Sequence, residues 1–173
     1  RLSLVGSEMC IRDRNMWSNF QETVKIYEQG KAYYDALKSV HDLVKGARKV
    51  QQTILLVGDI SDIYVTNFNT MTGDPNFTVE ELSAIAFGYN KLLKESSDLL
   101  LDLKEVTTAT GLSMTDKERL DIINRIYGEV LEYKNLTWYY TRKNIGVSYL
   151  RSKKKGDAAR VLALYGTHDQ RYW

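Results

Sequence analysis

From Val79 to Val106 the residues Leu82, Ile85, Ala86, Tyr89, Leu92, Leu93, Leu99, Leu100, Leu103 and Val106 recur at intervals of three and four, with no proline among them. Such spacing puts every apolar side chain on one stripe of an α-helix and cannot be satisfied by a strand, whose faces alternate with a period of two. A second run repeats the pattern with Leu120, Ile123, Ile126, Tyr127, Val130, Tyr133, Leu136, Tyr140 and Val147. Thr78 with Glu81 and Thr115 with Glu118 stand at the heads of these two runs. Each pair is a capping box, in which the threonine hydroxyl and the glutamate carboxylate satisfy two of the amides that a helix start leaves open.

The segment before them, Asn15 to Phe68, carries a third seam through Phe20, Val24, Tyr27, Tyr34, Leu37, His41 and Val44. Gly30 and Gly46 interrupt it, and Gly58 is the expected break, with Asp59 or Ser61 capping a short continuation. Gly73-Asp74-Pro75 is turn chemistry, because the residue before a proline avoids the helical region. Helix two should fade through Thr107 to Gly111, and helix three should end near Lys155 at the basic stretch Arg151–Asp157. A short helix over Asp157–Gly166 and a polar aromatic tail follow. Helices of 30 to 40 residues would be roughly 45 to 60 Å long. Seamed helices joined by short polar links pack as antiparallel neighbours. The expected fold is all-α: an elongated three-helix bundle with coiled-coil-like packing plus a short C-terminal helix.

Composition fits that reading and narrows function. The chain of 173 residues is 43% hydrophobic and 27% charged with one proline, enough for a single domain with a core. Its longest apolar run after the opening, Ile54–Val57, is far short of the roughly 20 residues a membrane span requires. A net charge of +2 argues against a dedicated nucleic-acid binder, whose domain would carry a concentrated basic surplus. Phosphate-loop, dinucleotide, zinc-protease and hydrolase-elbow motifs are absent from the sequence. His41 and His168 are the only histidines, and neither has a second ligand at metal spacing. The pairs Glu80-Glu81 and Asp116/Glu118 are accounted for by first-turn positions beside the helix dipole. No catalytic, cofactor or metal residue is expected, and the chain is not expected to be an enzyme.

Two surface features remain. The aromatic run Trp138-Tyr139-Tyr140, with Arg142 and Tyr149, is more than one seam can bury, since consecutive helical residues face about 100° apart. Tyr and Trp are enriched at interfaces, so Trp138, Tyr139, Arg142 and Tyr149, with Tyr172 and Trp173 of the tail, form a candidate interface; a core wrapped by the C-terminal helix is the other reading. Arg151, Lys153, Lys154 and Lys155 form a candidate basic patch for nucleic acid or anionic lipid. A solvated helix end beside its own dipole explains the same residues. Asn76-Phe77-Thr78 and Asn135-Leu136-Thr137 match the glycosylation acceptor pattern, which is common by chance.

The opening differs from everything after it. Met9-Cys10-Ile11-Arg12-Asp13 translates ATG TGT ATA AGA GAC, and Leu4 to Glu8 reads in the same frame, a string that resembles the transposon end of a tagmentation sequencing adapter. Residues 1–14 are therefore expected to be a non-native, adapter-derived segment, with one domain over 15–173. Without Arg1, Arg12, Arg14, Glu8 and Asp13 the net charge is +1, and without Cys10 no cysteine remains. Disulfides and thiolate chemistry then drop out.

Three stretches carry a resemblance: Val24–Val65, Asp74–Leu93 and, most specifically, Lys153–Trp173 with its "KKKGDAARVLALYG". Together they resemble the TraI-type conjugal transfer proteins of Bacteroides-group conjugative transposons, which are themselves distantly similar to TrbJ-type minor pilus components of type IV secretion systems. The resemblance implies an exported helical-bundle protein of the periplasm or cell surface, with a cleaved signal peptide and a "WVVTDP"-like segment ahead of Asn15. It further implies a structural or adhesive subunit at the tip of a pilus or stalk. Its partners would be other subunits of the apparatus, a membrane-embedded channel component or a pilin, or further copies of itself; it would have no enzymatic role. The rival expectation is a cytoplasmic coiled-coil adaptor or nucleic-acid-binding protein using Lys153–Lys155.

Overall fold

The computed structural model describes residues 47–108 and 114–166. Residues 1–14, the seam from Phe20 to Val44, Gly30, His41, Gly46, Gly111, His168, Tyr172 and Trp173 lie outside them. Four helices make up the described part: α1 (Ala47–Thr72), α2 (Val79–Thr108), α3 (Asp116–Lys154) and α4 (Ala158–Tyr165). No strand occurs among these residues, which form an all-α bundle. Lys49 lies over the ring of Tyr127 and Lys134 bonds to Asp59, so α1 and α3 run parallel. Glu81 meets Arg151 and Tyr89 meets Thr141, so α2 runs the other way between the same levels. α4 folds back against α3.

Both capping boxes form. Thr78 Oγ1 accepts from the Glu81 amide at 3.2 Å while the Glu81 carboxylate accepts from the Thr78 amide at 2.9 Å. Thr115 and Glu118 make the same exchange at 3.2 and 2.8 Å. Past the end of α3, Gly156 takes a φ of 74°, the left-handed region that glycine enters without strain. The amides of Gly156 and Asp157 then close on the carbonyls of Lys153 and Ser152, a Schellman end that turns the chain into α4.

The seam of α2 faces inward as the spacing predicts: Ile85, Ala86, Tyr89, Leu93, Leu100 and Leu103 are buried, and Leu82, Leu92, Leu99 and Val106 half-buried. They meet Val57, Ile60, Tyr64 and Met71 of α1 and Ile123, Ile126, Val130 and Ile145 of α3. Two expectations fail. α1 continues through Gly58 without a break. Glycine costs a helix about 1 kcal/mol relative to alanine, whereas Val57 and Ile60 beside it are fully buried, each worth roughly 1.5–3 kcal/mol. Leu136 and Val147 of the predicted third seam are 46% and 40% exposed. The core line of α3 runs instead through Thr137, Thr141, Ile145, Ser148 and Ser152, each fully buried.

The aromatic core explains how the helices sit so close at mid-height. Tyr89 stacks on Tyr64 with centroids 4.8 Å apart and meets Tyr140 edge-on at 5.1 Å. The Tyr140 hydroxyl reaches over α2 to the carbonyl of Ile85 at 3.3 Å. Gly88 leaves the room for it: a Cβ there would lie 3.0 Å from Cε1 of Tyr140 and nearer still to its Cζ and hydroxyl.

Candidate interaction surface

A buried polar knot ties one end of the bundle together and fixes the surface above it. Asp74 of the α1–α2 turn is enclosed. Its carboxylate accepts from the Asn76 amide at 3.0 Å, Ser148 Oγ at 2.5 Å, the Tyr165 hydroxyl at 2.9 Å and Arg160 at 3.5 Å. Turn, α3 and α4 thus converge on one side chain. Burial alone would push this carboxyl up, but the hydrogen bonds outweigh it and hold Asp74 below its ordinary value of 3.8. Desolvation, and then donation to Asp74, push the Tyr165 hydroxyl the other way.

Asn76 completes the knot, donating from Nδ2 to the Ser148 carbonyl, Ser148 Oγ and Ser152 Oγ at 3.2, 3.0 and 2.6 Å. Its amide is spent inside the protein, which closes the first acceptor sequon. Outside the knot, Arg151 grips Glu81 with two parallel bonds of 2.8 and 2.6 Å and also donates to the Asn76 carbonyl at 2.7 Å. The Arg151 guanidinium, followed by the Thr78 amide, lowers the Glu81 carboxyl from 4.5 to about 2.

These contacts divide the candidate basic patch. Arg151 is committed to Glu81, and Lys155 donates to Asn76 Oδ1 at 3.3 Å. Lys153 and Lys154 are exposed in the last turn of α3, where positive charge suits the helix dipole.

The candidate interface divides as well. Tyr140 turns into the core; Trp138 and Tyr149 are half-buried, and Tyr149 packs against the core. Tyr139 is 53% exposed, and Arg142 is exposed. Around Tyr139 stand Leu136 and Val147, which the spacing places in the seam, and Leu150, which is 60% exposed. Leu136, Tyr139, Lys143, Val147 and Leu150 succeed one another at steps of three, four, four and three. On a helix this is one stripe about 80° wide and roughly 21 Å long. It faces away from Thr137, Thr141, Ser148 and Ser152. Lys143 lies over the Tyr139 ring with Nζ 5.1 Å from its centroid.

The spacing that would have revealed both faces is present in the sequence. Thr137, Thr141, Ser148 and Ser152 continue the register of Ile123, Ile126 and Val130, so Leu136 and Val147 fall out of it. Ser and Thr read as polar, and the apolar residues nearest the register took their place.

Among the described residues no three His, Cys, Asp or Glu side chains gather as a metal site would require. No described helix is long and apolar enough to cross a membrane. No protein-family model, curated protein or solved structure matches the chain.

Proposed function

We propose that this protein is a structural, adhesive subunit of a conjugative type IV secretion apparatus. In this reading it is a minor pilus or stalk-tip component that serves DNA transfer by holding other proteins rather than by chemistry of its own. The observation that carries the reading is the outer stripe of α3, where Leu136, Tyr139, Val147 and Leu150 stand exposed on a helix whose inner line is fully packed. Apolar residues in a continuous strip mark contact surfaces far better than scattered ones do. The polar groups of the Asp74 knot are turned on one another, as suits a rigid part. The resemblance to TraI-type and TrbJ-type conjugation proteins names the apparatus. It also implies export to the periplasm or cell surface, with a membrane-embedded channel component, a pilin or further copies of the chain as neighbours.

Light scattering at high protein concentration, together with pull-down of the channel subunit, tests the proposal. Assembly or capture is the expected result; a strict monomer that fails to bind the channel subunit overturns it. A salt-dependent shift of DNA, abolished by replacing Lys153, Lys154 and Lys155 with Glu, would transfer the protein to the nucleic-acid-binding class.

A further inference from the structure

The outer stripe of α3 carries information about what it binds. Its width suits the seam of a single helix, since two helices meet through a narrow line of side chains at steps of three and four. On α3 the exposed Glu132 stands one turn before Leu136, and from there to the end of the helix the charge is of one sign. From Tyr133 to Gly156 the chain has no Asp or Glu, while Lys134, Arg142, Lys143, Arg151, Lys153, Lys154 and Lys155 all fall there. Lys134 and Arg151 are neutralised by Asp59 and Glu81. Arg142, Lys143, Lys153 and Lys154 stay exposed on the same helix as the stripe.

We propose that this stripe receives an amphipathic helix of a partner subunit, with an apolar seam for Leu136, Tyr139, Val147 and Leu150 and acidic side chains for Arg142 beside the stripe and Lys143 within it. The proposal rests on the reading of the chain as a protein-binding subunit and adds the chemistry of what is bound. Tyr139 is the anchor, a rigid ring held under Lys143; aromatic residues at the centre of a contact dominate its strength. The cations set which partner is accepted, because like charges across an interface reject it.

The test uses the full chain and two labelled synthetic helices of about four heptads. Both carry leucine at the seam; one is flanked by Glu and the other by Lys, and binding is read by fluorescence anisotropy. The Glu-flanked helix should bind, more weakly as salt rises, and the Lys-flanked helix at least about tenfold more weakly. Tyr139→Ala with Leu150→Ser should weaken the Glu-flanked helix about tenfold or more, with circular dichroism unchanged. Arg142→Glu with Lys143→Glu should invert the preference between the two peptides.

Equal binding of both peptides, or binding indifferent to these substitutions, overturns the proposal. So does stripe-dependent attachment to vesicles of phosphatidylglycerol and phosphatidylcholine in place of the peptide, or stripe-dependent self-association, which would make a second copy the occupant. Capture of the channel subunit by the Tyr139→Ala, Leu150→Ser protein at full strength would remove this face as the docking site while leaving the proposed apparatus role standing.

Discussion

Between Ile123 and Val130, α3 meets the other helices with aliphatic side chains; between Thr137 and Ser152 it meets them mostly with hydroxyls, at the same complete burial. The aliphatic half gains from apolar area removed from water, a force that accepts many nearly equivalent packings. Hydroxyls add little of that, and each must find a partner. Thr137 and Thr141 bond back to carbonyls one turn earlier at 2.7 and 2.9 Å, and Thr141 also meets the Tyr89 hydroxyl at 2.6 Å. Ser148 and Ser152 reach across to Asp74 and Asn76. The first half supplies cohesion and the second specifies which turn and which terminal helix belong where.

Substitutions can break this division. The largest effect is expected from Asp74→Ala, which strands the donors of Ser148, Tyr165 and Arg160 in a closed site: about 4 kcal/mol in denaturant unfolding, with the amides of α4 exchanging early. Ile126→Ala should cost about 3 kcal/mol, and hydrogen exchange should quicken throughout the bundle rather than at one end. If the two variants loosen the same amides, the halves are not distinct. Gly88→Ala drives a methyl group into Tyr140 and should cost about 2 kcal/mol, with the tyrosine near-ultraviolet dichroism changed.

Acid sharpens the comparison, because two of the lowered carboxyls, Glu81 and Asp74, stand at the polar end, while at the other end the bonds to Thr115 lower Glu118. The folded-state values of Glu81 and Asp74 lie below their ordinary 4.5 and 3.8. Their stabilisation is therefore complete above those ordinary values and is lost as the pH falls through the lowered ones. Thermal melts should weaken as the pH drops from 4.5 towards 2. Glu81→Gln should make that decline shallower, leaving the parts due to Asp74 and Glu118. Smallest of all, Leu150→Ser on the outer stripe should shift stability by no more than about 0.5 kcal/mol. A larger loss would mean that the stripe belongs to the core.

The aliphatic half could be read from spacing, because Ile, Leu and Val at steps of three and four have one physical explanation. Both capping boxes were legible for a similar reason, each being a local exchange between residues three apart. The polar half was not. Whether Ser148 is buried depends on Asp74, which lies 74 residues earlier and meets it only after the turn has closed. The turn itself was visible in Gly73-Asp74-Pro75, yet its sequence gives no sign that Asp74 gathers donors from α3 and α4. Gly58 misled because local propensity was weighed without the burial of Val57 and Ile60. The outer stripe is hidden for the complementary reason: Leu136 and Val147 are the apolar residues nearest the interior register that the hydroxyls fill.

The path of the chain has a mechanical consequence. Lys49 stands over Tyr127 near the end where α2 gives way to α3, and Tyr165, hydrogen-bonded to Asp74, sits at the opposite end. Tension between these two points would run lengthwise, along α1 and α3, and be resisted by many side-chain contacts sheared at once rather than opened one after another. Asp74 would act as the rivet at the loaded end, since α4 could peel away only by parting the bonds that converge on that single carboxylate.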